Sequence, residues 1–354
     1  MATNNNTIEY KCPNCGGKVE FNSSLQQMQC PYCDSVFTID EIENVQEDAS
    51  QSQYSGENWS AGEGDFGLYR CSSCSAEIVA DATTAATNCP YCGNPVILTD
   101  RLSGTLKPDI IIPFKLDKAA AKKALGEHLK GKRLLPKVFK DQNHLDEIKG
   151  VYIPFWLFDA SADARGTYKA TRLNHWSDAV YQYTETKSFN VTRSGTSEFR
   201  NVPVDALENL DNELTESLET FDCSEAVEFS PAYLSGYFAD CCDVSAEDCL
   251  SRAKQRMSRS ALSELRQTVS GYSSVETLNS GVNFRNLSEK YAMFPVWILN
   301  TSWNGSKYLF AMNGQTGKFV GNLPEDKKLS LLYRLLYGLG IGALLYFLGQ
   351  FMGF

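Results

Sequence analysis

The sequence contains very little histidine: three residues, His128, His144 and His175, among 354. Metal centres that use several imidazole ligands, as many catalytic zinc sites do, are therefore not expected. The sequence also lacks the G-x-x-x-x-G-K-[ST], G-x-S-x-G and H-E-x-x-H motifs. We expect a protein that is not an enzyme, and the alternative is an enzyme whose site lies within 108–325.

Positive charge is also scarce. Lys and Arg number 33 against 43 Asp and Glu, which gives a formal net charge of −10. The segment 41–66 contains no Lys or Arg and is rich in Ser, Gln and Gly, so it predicts an acidic flexible linker. Its seven acids are Glu41, Glu43, Glu47, Asp48, Glu57, Glu63 and Asp65. An acidic chain does not favour charge-driven binding to nucleic acid.

The first ten residues, MATNNNTIEY, lack the apolar core of a secretory signal. We therefore expect the bulk of the chain to lie in the cytoplasm, where thiols stay reduced. The chain has twelve cysteines, and eight of them occur in C-x2-C pairs. In a reducing compartment these pairs indicate metal ligands and not a disulfide framework.

Two segments, 10–39 and 69–98, repeat the pattern C-x2-C-x14-C-x2-C with an offset of 59 residues. Two such pairs supply four thiolates, which complete a tetrahedral zinc shell and leave no open position for catalysis. We predict zinc ribbon 1 over 9–40, zinc ribbon 2 over 69–100, and two structural Zn²⁺ per chain. The predicted ligands are Cys12, Cys15, Cys30, Cys33, Cys71, Cys74, Cys89 and Cys92.

Other arrangements of the cysteines stay open at this point. The two units could exchange pairs, but the 37 residues between Cys33 and Cys71 favour local sites because a longer loop costs more entropy to close. A thioredoxin-like redox pair is the other alternative. Four further cysteines are predicted to be buried free thiols without an assigned role: Cys223, Cys241, Cys242 and Cys249.

Residues 108–325 have an ordinary globular composition and predict one α+β domain. Helices are expected over 117–130 and 203–219, and a third helix is expected to begin at the capping box of Ser245 and Asp248.

An apolar-Pro-apolar pattern occurs three times, at 110–116, 151–160 and 292–301. Such runs predict recurring buried strands. The alternative is a ligand groove lined by Trp156 and Trp297.

No charged residue follows Arg334. The twenty uncharged residues 335–354 would span about 30 Å as a helix, which is the thickness of a bilayer core. Lys327, Lys328 and Arg334 precede this run and favour an orientation with the N-terminal bulk in the cytoplasm. We therefore predict a transmembrane tail anchor over 329–354 and a single-pass protein of the cell membrane. A buried core helix is the alternative.

Gly338 and Gly342 form a small-xxx-small pair that favours close helix contact, so a homo-oligomer through this face is a further expectation. The predicted fold class is α+β, with two small zinc ribbons, one α+β globular domain and one C-terminal transmembrane helix.

The chain resembles the bacterial membrane-anchored proteins with TFIIB-type double zinc ribbons, which are often labelled as replication-restart helicases. The resemblance covers nearly the whole chain and rests on the CPNC and CPYC knuckles, the YIPFWLFDA and MFPVWILN segments, AMNGQTGK and the apolar tail. The second ribbon departs from the family pattern, with CSSC and Ser75 in place of CPxCG. Because the sequence has no motor motif, the helicase label implies only zinc binding here.

Some members of this family look like partners of flotillin-type and phage-shock-type membrane-stress proteins. The resemblance thus implies a tail-anchored cytoplasmic zinc-ribbon adaptor that recruits protein partners to the membrane, in envelope stress. The alternative is a zinc-ribbon protein associated with nucleic acid but without motor activity.

Overall fold

The computed structural model describes residues 7–50, 66–71, 73–74, 77–81, 83–102, 107–132, 134–136, 147–208, 210, 212–303, 305–321 and 326–352. The described strands are β1 (Thr7–Ile8), β2 (Glu20–Asn22), β3 (Gln27–Gln29), β4 (Val36–Phe37), β5 (Phe66–Arg70), β6 (Glu77–Asp81), β7 (Thr84–Asn88), β8 (Pro95–Leu98), β9 (Ile110–Ile111), β10 (Lys149–Ser177), β11 (Gln182–Asp205), β12 (Val227–Glu228), β13 (Phe238–Asp240), β14 (Ser274–Trp303), β15 (Ser306–Asn313) and β16 (Phe319–Gly321). The described helices are α1 (Ile39–Ser50), α2 (Lys118–Leu129), α3 (Asn212–Leu218), α4 (Ala246–Gln267) and α5 (Lys327–Met352).

One eleven-stranded sheet organises the molecule, and its main path runs β1-β8-β7-β13-β10-β14-β15-β16. β11 pairs with β10, and β9 pairs with both β12 and β14. Most pairs are antiparallel, but β10 is parallel to β13 and β14 is parallel to β9. Three strands are exceptionally long, at 29, 24 and 30 residues for β10, β11 and β14.

The apolar-Pro-apolar segments lie side by side at the centre of this sheet. Pro154 of β10 lies opposite Met293 of β14, and Ile110 of β9 lies beside Ala292 of the same strand. Trp297 is buried and Trp156 is half-buried, and most residues of these segments are buried, so the predicted buried strands are confirmed. The indole N–H of Trp297 donates to Leu116 O at 3.0 Å, and that of Trp156 donates to Val244 O at 3.0 Å.

Helix α4 covers one face of the long strands. The segment FDASADARG places small residues at every second position of β10, so Ala160, Ala164 and their neighbours form a shallow surface. The buried residues of α4 recur every four positions, which puts them on one stripe. They are Cys249, Ala253, Met257, Ala261 and Leu265.

The predicted helix over 117–130 is confirmed as α2, in which Asp117 caps the N-terminus by accepting from Ala120 N at 2.7 Å. The capping box is confirmed as well, since Ser245 Oγ accepts from Asp248 N at the start of α4. The segment 203–219 is helical only in its second half, because β11 continues to Asp205.

The expected fold class is wrong in two respects. The described chain forms a mixed α/β domain with large sheets and five helices, and strands β7 and β8 of the predicted ribbon 2 belong to the main sheet. The prediction of small ribbons separate from the globular domain does not fit this topology. β1 pairs with β8 and β8 pairs with β7, and this path continues through β13 to the central strand β10. The predicted linker over 41–66 begins with residues of α1. Most of its remainder lies outside the described residues.

The predicted transmembrane anchor over 329–354 is also wrong. The C-terminal helix α5 begins at Lys327, so Lys327, Lys328 and Arg334 lie within its first eight residues. Along the part of the chain that the structure describes, every helix is too short or too polar to cross a membrane. The single-pass localisation in the cell membrane rested on that anchor and is therefore not supported.

Candidate metal centres

The eight predicted ligands form two separate clusters, each drawn from one sequence repeat. Within each cluster the sulfur atoms all lie within 4.8 Å of one another. The first contains Cys12, Cys15, Cys30 and Cys33, and the second contains Cys71, Cys74, Cys89 and Cys92. The structure therefore brings together cysteines of the same unit, and the two clusters could hold two metal ions.

Tight backbone turns set the cysteine pairs in position. Gly16 N donates to Cys12 O at 2.8 Å, and Gly93 N donates to Cys89 O at 2.9 Å. Both glycines have a φ of +73°, a conformation that costs a residue with a side chain about 1 kcal/mol or more. The position after Cys33 is occupied by Asp34, at φ +58°, since Asp tolerates this region better than most residues.

Sulfur atoms of opposite pairs approach closely in both clusters. Cys12 Sγ lies 3.6 Å from Cys33 Sγ, and Cys15 Sγ lies 3.5 Å from Cys30 Sγ. The corresponding distances in the second cluster are both 3.7 Å, between Cys71 and Cys92 and between Cys74 and Cys89. The two clusters therefore share one geometry.

The two cysteines of each C-x2-C pair differ in exposure: the first is buried and the second is exposed. The exposed Cys33 thiol lies 3.2 Å from Ser35 Oγ. Hydrogen bonds from the Ser35 side chain and backbone lower the pKa of Cys33 to about 6, because they stabilise the thiolate. A thiolate is the form that binds metal.

Ribbon 1 is seated on the body of the protein. Phe21 N donates to Ser235 O at 3.0 Å, and Ser235 Oγ donates to Val19 O at 2.6 Å. The ring of Phe21 meets that of Tyr233 edge-on, with centroids 5.1 Å apart. Cys12 and Cys30 belong to the same buried cluster as Tyr237, so the first metal cluster adjoins the main core.

Glu9 joins the two ribbons. This buried residue follows β1, which pairs with β8 at the end of ribbon 2. Its Oε1 accepts hydrogen bonds from Asn94 Nδ2 at 2.6 Å and from Ser73 Oγ at 2.5 Å. Ser73 lies between Cys71 and Cys74, and Asn94 follows Cys92 by two residues, so a residue of ribbon 1 fixes the loops of ribbon 2.

Four cysteines lie outside the clusters and were predicted to be buried. Cys241 and Cys249 are buried, but Cys223 and Cys242 are only half-buried. Burial raises the pKa of the Cys223 thiol to about 11. Among the described residues, none of the four belongs to a group that could hold a metal.

Each cluster carries an exposed tyrosine at the apex of its CPYC turn. Tyr32 is 68% exposed and Tyr91 is 73% exposed. The two residues occupy equivalent positions of the repeat, 59 residues apart. Tyr32 lies against Gly17, where an added Cβ would be 2.5 Å from its ring.

The chain is 35% identical over 320 residues to a protein of Bacillus subtilis (strain 168), the uncharacterized protein YdjG. The similarity covers 90% of this chain and 91% of that relative. The chain belongs to the YdjG family. No family model matches it, and no solved structure matches it.

Sequence reasoning identified the eight cysteines of this YdjG-family chain but missed Glu9 and the segment from Ser230 to Tyr237 that receives ribbon 1. Glu9 immediately precedes the first repeat and carries no motif of its own. A signal did exist in the apolar residues Val19, Phe21 and Met28, since a ribbon this small has no room to bury them by itself.

Proposed function

We propose that this protein is a zinc-stabilised scaffold that binds other proteins through the surface of its two ribbons. The proposal rests chiefly on the paired exposed tyrosines, Tyr32 and Tyr91, each held at the apex of a cysteine turn. Tyrosine is enriched at protein interfaces because it presents a large, stiff and amphipathic surface.

Zinc is the proposed metal in both clusters. A tetrahedral shell with Zn–S bonds of about 2.3 Å requires sulfur atoms about 3.8 Å apart. The closest sulfur–sulfur separations in the two clusters, 3.5–3.7 Å, fit this requirement. Four thiolates fill the shell of a structural zinc ion and leave no position for water or substrate. The chemistry of the donor set therefore favours a structural role over a catalytic one.

Charge does not favour nucleic acid as the partner of the ribbons. Lys18 is already paired with Glu20 at 2.5 Å, and ribbon 1 also carries Asp34 and Asp40. Binding to phosphates requires an excess of free cations on the contacting surface. Proteins of the flotillin or phage-shock type, implied by the resemblance, fit the proposed role as partners.

The zinc content tests the first half of the proposal. Native mass spectrometry of the purified chain is expected to show two zinc ions, and chelation should remove both. One ion per chain, or an iron–sulfur absorbance, contradicts the assignment.

The partner-binding role is tested by replacing both apex tyrosines, Tyr32→Ala with Tyr91→Ala, in cells that produce the tagged protein. We expect the double variant to keep two zinc ions and to lose at least one partner that the parent chain recovers reproducibly. The matched control is Tyr181→Ala, since Tyr181 is 65% exposed but lies far along the chain on the β10–β11 turn. Equal recovery of every partner by the two variants contradicts the role of the ribbons. A salt-dependent shift of a DNA or RNA probe by the parent chain would favour nucleic acid instead.

A further inference from the structure

The outer edge of β11 is a long, unblocked strand edge. β11 pairs with β10 without interruption from Gln182 to Phe199. Along the described parts of the chain, no strand pairs with its opposite edge. The stretch contains no proline and, before Phe199, no bulge. Such an edge offers a row of free backbone N–H and C=O groups to another strand.

Side chains along this edge alternate between two faces. The odd-numbered residues lie on the side of α4, as shown by Val191, which packs with Val269, and by Ser197, which donates to Glu264. Glu185, Phe189 and Arg193 therefore project from the same face at equal spacing. Phe189 remains 37% exposed.

We propose that the β11 edge pairs in an antiparallel manner with the same edge of a second copy of this chain, about a two-fold axis at Phe189. This register places Phe189 opposite its own equivalent. It also places Glu185 of each copy opposite Arg193 of the other, which gives two opposite-charge pairs. Cross-strand pairs of this kind stabilise antiparallel sheets, and like charges in the same positions oppose pairing.

Two further pairs of this register are compatible as well. Tyr183 lies opposite Gly195, so an aromatic ring covers a residue that has no side chain. On the other face, Thr186 lies opposite Thr192, a pair that favours antiparallel strands. The aligned segment extends from 182 to 196.

The charges of β11 point to a second copy and not to an unrelated strand. Glu185 and Arg193 are eight residues apart on one extended strand, so about 26 Å separates them within a single chain. They can meet only between two copies, and a two-fold axis forms the pair twice, with one member of each pair from each copy. Within its own chain Arg193 donates to the neighbouring Thr192 O, and Glu185 pairs with Lys187 at 3.2 Å. This inference is independent of the role proposed for the ribbons.

A shifted register is the main competitor. With the axis at Thr186, Glu185 would face Lys187 of the other copy, but only residues 182–190 would align. The experiment must therefore separate the two registers as well as detect a dimer.

Sedimentation equilibrium of the full metal-loaded chain tests the proposal with exchanged charges. Glu185→Arg alone and Arg193→Glu alone should each raise the dimer dissociation constant by about tenfold, since each creates two like-charge contacts. The double variant, Glu185→Arg with Arg193→Glu, should return it to within about threefold of the parent value. Because the two residues are too far apart to interact within one chain, this restoration requires their contact between copies.

The control variant is Glu185→Arg with Lys187→Glu, which keeps an inverted ion pair within the strand. In the proposed register its dimer dissociation constant should stay as high as that of Glu185→Arg, because the arginine at position 185 still faces Arg193. Full restoration by this control assigns the shifted register and overturns the one proposed.

A monomer at every attainable concentration also overturns the proposal. So does a dimer whose dissociation constant is the same in all variants, which would place the contact elsewhere, as on the exposed apolar side chains of α5. Two zinc ions and an unchanged unfolding midpoint in each variant exclude misfolding.

Discussion

Two arginines of α4 hold the helix to carboxylates that are largely buried. Arg252 pairs with Asp205 at the end of β11. Arg256 donates two hydrogen bonds to the Glu219 carboxylate, from Nη1 to Oε1 at 2.9 Å and from Nη2 to Oε2 at 2.6 Å. Burial raises the pKa of the Glu219 carboxyl, and the Arg256 guanidinium opposes that rise. The pair is therefore balanced between the cost of desolvation and the attraction of the charges.

Replacing Arg256 with Met is expected to lower the free energy of unfolding by about 2 to 3 kcal/mol at pH 7, because a carboxylate is left buried without its partner. In the variant the folded-state pKa of Glu219 lies further above its unfolded value. The folded state then binds more protons between those two values, so stability falls as pH rises through that range. Urea unfolding at pH 7 and pH 4.5 should show a smaller deficit at the lower pH.

The control for this prediction is Arg259→Met on the same helix, since Arg259 is exposed. That change should alter stability by no more than about 0.5 kcal/mol at either pH. An equal deficit for Arg256→Met at both pH values would show that lost packing, and not the unpaired carboxylate, causes the effect.

Glu9 is a second residue on which several loops depend. Glu9→Ala removes the acceptor of Asn94 and Ser73 and should cost about 2 kcal/mol, since hydrogen bonds to a charged group are stronger than neutral ones. We expect faster loss of metal from the second cluster to a chelator, although Glu9 precedes the first. Glu20→Ala is the control, because its ion pair with Lys18 is partly exposed and contributes little. Unchanged chelation kinetics in Glu9→Ala would contradict the coupling.

At the scale of elements, the contact between α4 and β10 depends on small side chains. Ala164 is buried against Ala261 and Leu265. Ala164→Leu should lower the free energy of unfolding by about 2 kcal/mol, because the extra atoms force the helix away from the strands. The measurement is the urea midpoint at constant slope.

Lys169→Leu provides the control on the same strand, since Lys169 is exposed. Its effect should lie within about 0.5 kcal/mol. Equal losses for the two variants would show that propensity in β10, and not the spacing to α4, decides the stability.

Helices α2 and α4 were predictable from sequence because capping residues and spacing identify them locally. Asp117 and Ser245 begin them in the structure as in the sequence. The long strands were harder to predict, since their polar outer faces and alanine-rich inner faces provide little apolar alternation. The prediction for helix α5 was wrong: its uncharged run suggested a membrane span, but no helix in the described part of the chain combines the length and the apolar character needed to cross a membrane.

At the scale of the whole molecule, the first metal cluster is part of the central core, since Cys12 and Cys30 lie in it. Cys30→Ser should therefore lower the stability of the entire chain by at least about 3 kcal/mol, because Phe21 and Met28 share a buried cluster with Tyr237. Differential scanning calorimetry should show one transition at lower temperature, and the number of bound metal ions should fall to one.

Cys223→Ser is the matched control, since Cys223 is half-buried and lies outside both clusters. It should keep two metal ions and lose no more than about 1 kcal/mol. A separate early transition in Cys30→Ser, with the main transition unmoved, would show that ribbon 1 unfolds independently, as an uncoupling linker would require.

The spacing of the cysteines was sufficient to predict both clusters, because a C-x2-C turn constrains its own geometry. What the sequence did not reveal is where the ribbons attach. The contacts of Phe21 with Ser235 and of Glu9 with Asn94 join residues that are far apart in sequence. Each uses a common residue type without a local pattern, so only the folded chain identifies it.

The site on which ribbon 1 packs, the segment from Ser230 to Tyr237, has a consequence for synthesis on the ribosome. Phe21 emerges more than two hundred residues before Ser235, its backbone partner. At 5–20 residues per second, the ribbon waits roughly 10 to 40 s for that partner. During this interval Val19, Phe21 and Met28 would depend on the short strand pairs of the ribbon and on a metal ion held by its four cysteines. A nascent chain made without metal would thus expose an apolar surface to chaperones well before the segment from Ser230 to Tyr237 has been synthesised.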